Sequence, residues 1–260
     1  MCEGYSIRQL SQQRGLSAWK LRQVIHYWLA RPPDIPRDLS GHRFVVVDGT
    51  FVYGRRVGAV VFIDGVTHDV IAGIYGLQEG ERAMVDVCRD LKQRGLDPFS
   101  ATIDGNPQLQ TMLCTVWPHV IIQRCLVHIQ FQGQRWCRAH PKTPEGRELR
   151  ELFTQVTRIN TRQEKERFQL QLIEWEKRNG PQVEQASPRA WIARDLRAAR
   201  SMLTKALSNM FHYLEHPGIP TTTNAAEGYF GRLKHRYAQH RGLAPDRRKA
   251  YFQWHFHLCR

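Results

Sequence analysis

Phe44-Val45-Val46-Val47-Asp48-Gly49-Thr50 is a continuously apolar, β-branched run that stops at a carboxylate. A strand of this composition is buried on both faces, as in the sheets of α/β proteins. The residue that ends such a strand points into a crevice, so Asp48 is a candidate for chemistry there. Asp-Gly is also a turn dipeptide, and a plain turn competes with that reading. Outward from this run, Val57 to Ile63 and Val66 to Tyr75 are rich in Val and Ile, with Asp64-Gly65 between them as a hairpin turn. Together the three runs predict an antiparallel meander.

Beyond the meander the period changes. Met84, Val87 and Leu91 have helical spacing within 79–94, and Phe99 to Ile103 returns to strand. A short helix is expected over Gln108 to Leu113 and a fifth strand over His119 to Ile122, giving the order βββαβαβ. From Leu126 to about Met210 the text is helical and polar, with helices over Glu145 to Val156 and Gln163 to Lys177. This block, taken as 126–215, is read as an insertion ahead of a last helix that carries Glu227.

Two further carboxylates stand in positions like that of Asp48. Asp104 follows the strand residues Thr102-Ile103, in an Asp-Gly-Asn-Pro stretch whose residues also favour turns. Glu227 opens a basic amphipathic helix. With Asn224 as N-cap it takes the third helical position, where Glu closes a capping box, so a cap alone accounts for it. On its face lie Gly231 and Lys234, while Phe230, Leu233 and Tyr237 form the adjoining apolar stripe. Two or three converging carboxylates repel one another unless divalent cations neutralise them. In a basic protein that arrangement points to metal-assisted phosphoryl transfer on nucleic acid.

Charge supports the same partner. The 260 residues carry a formal net charge of +14, with 42% apolar and 10% aromatic residues, a globular composition with a polyanion-binding balance. Residues 228–260 hold eight Lys/Arg against one Asp, half of the excess. Arg232, Lys234, Arg236, Arg241, Arg247 and Arg248 are the expected backbone contacts there, interleaved with aromatic and His residues. A solvated basic surface is the plainer account of the same residues. The chain has no GxxxxGK[ST], GxGxxG or GxSxG, which removes the sites of nucleotide-hydrolysing and Ser-hydrolase readings. No run approaches a membrane span, and six cysteines without a Cys-x-x-Cys pair read as reduced thiols, so a cytoplasmic, nucleoid-associated protein is expected.

The first thirty residues read as a small helix-turn-helix. Ile7 and Leu10 face one helix, Gly15 supplies the turn, Ser17 caps, and Leu21, Val24, Ile25 and Trp28 stripe the second. Lys20 and Arg22 on that second helix are the expected DNA contacts, and a helical hairpin packed on the main domain is the bland alternative. Arg31-Pro32-Pro33-Asp34-Ile35-Pro36 opens a stiff linker, taken as 31–42, before a catalytic domain over 43–260.

Gln123-Arg124-Cys125-Leu126-Val127-His128, followed by Cys137-Arg138-Ala139-His140, repeats Cys-x-x-His. Thiolate and imidazole at that spacing invite zinc. Without a supporting ligand pair, zinc at Cys125, His128, Cys137 and His140 is set aside for a hydrogen-bonded structural role of Cys125 and His128. Arg124 is read as a phosphate contact.

Val46-Val47-Asp48-Gly49-Thr50, Ile103-Asp104-Gly105, Gln123-Arg124-Cys125-x-x-His128 and Thr222-Thr223-Asn224-x-x-Glu227-Gly228, in that order, resemble the bacterial Mutator-like DDE transposases of insertion sequences. The later His240-Arg241-Gly242-Leu243 is similar to a block in a subgroup of them. The resemblance covers roughly Arg43 to Arg260. It implies a ribonuclease-H-like mixed sheet with an all-helical insertion, and Asp48, Asp104 and Glu227 holding two Mg2+ ions, with Mn2+ as substitute. It implies cleavage and joining of double-stranded DNA at terminal inverted repeats and at a target, by a homodimer or larger assembly. The family's N-terminal DNA-binding region is longer than the bare or truncated helix-turn-helix here. A stand-alone ribonuclease-H-like nuclease, or a non-catalytic DNA-binding repressor derived from a transposase, are the alternatives.

Overall fold

A computed structural model describes residues 3–31, 33, 38–53, 57–77, 82–187, 191–240 and 242–258. Arg241, most of the expected linker opening and the start of the helix expected from Glu79 lie outside the described residues. The elements are α1 (Ile7–Arg14), α2 (Ala18–Leu29), β1 (Phe44–Tyr53), β2 (Val57–Asp64), β3 (Val70–Tyr75), α3 (Arg82–Gln93), β4 (Ser100–Ile103), α4 (Pro107–Val116) and β5 (Ile121–Arg124). Then come α5 (Leu126–Cys137), α6 (Pro144–Gln155), α7 (Arg162–Gln185), α8 (Trp191–Ala206), α9 (Asn224–Ala238) and α10 (Pro245–Leu258). The strands make one mixed five-stranded sheet in the order β3-β2-β1-β4-β5, an α/β architecture compatible with a ribonuclease-H-like fold.

The chain divides into two compact units, one of Met1–Ala101, Asn106–Val120 and Asn224–Arg260, the other of Thr102–Gly105 and Ile121–Thr223. In the first unit β1, β2 and β3 form the expected antiparallel meander. Its two hinges differ from expectation. β1 does not stop at Val47 but runs ten residues through Asp48-Gly49, with Asp48 opposite Val61 and Thr50 opposite Ala59. The β-branched and aromatic residues Thr50 to Tyr53 carry the pairing on, so Asp48 is a mid-strand residue and neither a strand end nor a turn. The β2–β3 turn is also wider than a two-residue hairpin, because β3 starts at Val70. Asp64 Oδ1 accepts the N–H groups of Val66 and Thr67 at 2.8 Å each, an Asx-type closure of a longer loop.

One face of this meander carries Val46, Ala59, Val61, Ile63 and Val70, packed with Leu29 of α2, Ala226, Tyr229, Phe230 and Leu233 of α9, and Tyr251, Phe252 and Phe256 of α10. Gly73 of β3 is required there: a Cβ would overlap the ring of Phe256. Tyr75 stacks on Phe252 at 4.3 Å between centroids. α2 is seated by Trp254, whose Nε1 donates to the carbonyls of Trp28 at 2.9 Å and Arg31 at 3.0 Å.

The second unit has its own core. Ile129 of α5, Leu149 and Phe153 of α6, Phe168 and Trp175 of α7 and Leu203 of α8 are buried together. Gly133 lets α5 approach the Phe153 ring, which a Cβ would strike. Gln123 of β5 joins this block to the strand: its amide donates to Met210 O at 2.7 Å, and its Oε1 accepts the N–H of His212 at 3.1 Å.

Candidate active site and nucleic-acid interface

Asp48 is 7% exposed and sits on β1 in the same row as Val46 and Thr50, the row that faces α9 in the first unit. Its Oδ1 accepts the N–H of Gly49 at 2.9 Å. Two residues on, Thr50 Oγ1 accepts Lys234 Nζ of α9 at 2.6 Å. β1 and α9 are thus joined by a polar bond one step from Asp48. Along the exposed face of α9, Glu227, Gly231 and Lys234 follow one another at helical spacing, as the sequence implied, while Phe230, Leu233 and Tyr237 are buried. The helix itself begins at Asn224, so the residue expected to cap it is its first helical residue.

Asp104 lies in the second unit, at the bend after β4, and is half-buried. Its backbone carbonyl accepts Arg124 Nη2 at 3.1 Å. Gly105 has φ 107°, in the left-handed region, and a Cβ there would overlap the Arg124 guanidinium. Burial pulls the pKa of Arg124 below its ordinary value, and the negative charges of Asp104 and Cys125 pull it back up. The guanidinium of Arg124, the expected phosphate contact, is packed against the Asp104 turn. The cause is a backbone acceptor twenty positions away and the side-chain-free Gly105 next to it.

Cys125 is fully buried. Its Sγ accepts the N–H of Thr223 at 3.3 Å and lies 3.5 Å from Thr223 Oγ1 and 3.2 Å from His128 Nδ1. Burial alone would raise this thiol's pKa, but the hydrogen bonds from His128 and Thr223 outweigh it and hold the pKa below the ordinary value. Cys137 is different: burial pushes its thiol up to about 12, despite the pull of Arg150, as for a protonated core residue. His140 is exposed. Among the described residues, no three His, Cys, Asp or Glu side chains stand together as a group that could hold a metal.

The basic residues fall into two sorts. Lys20, Arg22 and Arg232 are exposed. Others are engaged within the first unit: Arg236 Nη2 with Glu3 at 3.4 Å, Arg247 Nη1 with the His26 ring at 3.1 Å, and Arg248 Nη2 with Leu243 O at 3.2 Å. The residues that sequence reasoning missed are Thr223, Gly105 and Trp254. Thr223 was quoted only as part of a motif, and nothing in its type signals a sulfur partner 98 positions away. No described helix is long and apolar enough to cross a membrane.

A family model described as "Transposase, Mutator family" matches residues 37–251. A protein of Corynebacterium diphtheriae, described as a probable transposase for insertion sequence element, is 32% identical over 129 residues. That match takes in 48% of this chain and 37% of the relative's length, so the chain spans well under two thirds of it.

Proposed function

The chain belongs to the Mutator family of transposases, and from that membership we propose that it cuts and joins DNA strands at insertion-sequence ends by DDE-type chemistry. The observation that carries this reading is the family match itself, because residues 37–251 contain Asp48, Asp104 and Glu227 in one stretch. Support comes from the buried Asp48 on the β1 row that faces α9, and from β4, which leads into Asp104, standing next to β1 in the strand order.

The proposed ligands are three carboxylates, and hard oxygen donors of that kind suit Mg2+, with Mn2+ in its place, better than a softer metal. Bound there, the ions would supply an activated attacking oxygen and a stabilised leaving oxygen. The protein's own residues do the rest. Asp48 is fixed by strand pairing on β1, so its carboxylate is presented in one direction. Lys234 holds α9 against β1, and with it the helix that bears Glu227. Lys20, Arg22 and Arg232 supply exposed positive charge for phosphate contacts, which position DNA without reading its sequence. α1 and α2 form the proposed segment for terminal-repeat recognition, and residues 43–260 the proposed catalytic domain with its helical insertion at 126–215. Double-stranded DNA is the proposed partner and a homodimer or larger assembly the proposed working form, in the cytoplasm.

The test is strand transfer with Mg2+ or Mn2+ on an inverted-repeat end, using Asp48→Asn, Asp104→Asn and Glu227→Gln. Each is expected to lose at least about a hundredfold in rate while keeping DNA binding, the scale of losing a group that stabilises the transition state. Retained activity in any one removes that residue from the site.

A further inference from the structure

Carboxylate-based phosphoryl transfer leaves Gln123-Arg124-Cys125-Leu126-Val127-His128 without a task, although the stretch carries several side-chain bonds within the second unit. It closes β5 and opens α5, and its side chains reach two separate segments. Arg124 reaches back to the Asp104 carbonyl, and Cys125 and His128 reach forward to Thr223. Thr223 is the last residue before α9.

We propose that Arg124, Cys125 and His128 form a metal-free positioning clamp that sets both the Asp104 turn and the departure point of α9. The clamp rests on the reading in which Asp104 and Glu227 serve the reaction; none of its three residues is itself placed on DNA or metal.

The backbone already gathers these segments. Cys125 N–H donates to Ile103 O at 2.8 Å, Leu126 N–H to Thr221 O at 2.9 Å, and Thr102 Oγ1 to Pro220 O at 2.7 Å. Each bond fixes the chain at its own residue. The side chains add further fixed points. The Arg124 guanidinium fills the space over Gly105, so the turn cannot collapse inwards, and its bond to the Asp104 carbonyl orients that peptide. A lysine would bring charge without a planar group to fill that space.

At the other end sulfur acts as an acceptor. It takes the Thr223 N–H and has the Thr223 hydroxyl and the His128 ring within bonding distance. His128 Nδ1 lies 3.3 Å from Thr223 Oγ1 as well, which closes a three-membered ring of contacts. A zinc ion on Cys125 and His128 would have to displace Thr223 from both. The lowered thiol pKa is the electrostatic counterpart of this arrangement, since donors converging on sulfur favour its charged form.

The experiment is amide hydrogen exchange on the full chain without metal, followed by strand-transfer assays on the same preparations. Arg124→Ala is expected to speed exchange about tenfold or more in residues 103–106, and Cys125→Ala or His128→Ala to do so in 221–225, the scale of losing one charge-assisted hydrogen bond. Peptides from α3 and α10 should keep wild-type rates. His128→Asn, which replaces the Nδ1 donor, should restore protection in part. Strand transfer should fall through kcat, with DNA affinity unchanged.

Unchanged exchange in both segments would overturn the clamp, as would bound zinc at one equivalent that Cys125→Ala abolishes. If an alanine variant unfolds, Arg124→Lys and Cys125→Ser make the same comparison. Faster local exchange with full activity in Asp104→Asn and Glu227→Gln would leave the clamp standing and overturn the catalytic assignment instead.

Discussion

Lys234 Nζ on α9 donates to Thr50 Oγ1 on β1 at 2.6 Å, so a cation on the Glu227 face is bound to the strand that carries Asp48. A lysine read from sequence as a phosphate contact therefore has a second employment, as a strut between helix and strand.

If the strut is what matters, Thr50→Val and Lys234→Met should lower strand transfer to a similar degree, and the double variant should lose no more than either single one. Thermal stability should change by about 1 kcal/mol or less, as for one exposed hydrogen bond. A Lys234→Met variant that loses about one unit of salt slope in DNA binding, with Thr50→Val inert, would assign Lys234 to phosphate instead.

Gly73→Ala should destabilise the protein by about 1–3 kcal/mol, because a methyl group there has to displace the Phe256 ring from the β3 face. Denaturant unfolding gives the measurement. Adding Phe256→Leu to the alanine variant should recover part of the loss; a neutral Gly73→Ala would show that α10 yields freely at this point.

The Asp64 carboxylate supplies a pH dependence. Burial would raise its pKa, but the Thr67 N–H, the His42 ring at 2.7 Å and the Val66 N–H together hold it below the ordinary value. A carboxylate whose folded pKa is depressed adds stability above its unfolded pKa, and that stability is lost as pH falls through the folded value. Urea midpoints should therefore drop as pH falls below about 4, the unfolded aspartate value. Asp64→Asn should be less stable at pH 7 and show a shallower acid decline. A parallel decline in both would remove Asp64 as its source.

Trp254→Phe keeps the aromatic contact with Trp28 but removes the N–H shared by the Trp28 and Arg31 carbonyls. Proteolysis over residues 18–31, in and just after α2, should quicken, and affinity for an inverted-repeat end should fall while activity on a pre-nicked end persists. Wild-type cleavage rates would mean that α2 keeps its seat through its other contacts, among them Leu29 and the Arg247–His26 bond.

Much of the first unit could be read directly. Val and Ile runs punctuated by Gly marked the meander, and the stripe Phe230, Leu233 and Tyr237 marked the buried side of α9. The end of β1 could not, because Asp48-Gly49 has turn chemistry locally and its pairing with Val61 and Val60 is a tertiary fact. The β2–β3 loop was misjudged for the same reason: Asp64 closes it through its side chain rather than through a two-residue turn. Around the candidate site, sequence offered the carboxylates as candidates but not the bonds near them. Arg124 bonds a backbone carbonyl, Cys125 a threonine 98 residues on, and Lys234 a hydroxyl 184 residues back. Partners of that kind have no periodicity to betray them.

α10 follows every other described element in the chain, yet β3 at Gly73 and Tyr75 and α2 at Trp28 and Arg31 all depend on it. On the ribosome, then, α1 and α2 are made before α10 and gain its support only once the whole helical insertion has been synthesised. Until that moment the proposed DNA-reading segment lacks the Trp254 bonds to Trp28 and Arg31, a built-in delay between synthesis and grip.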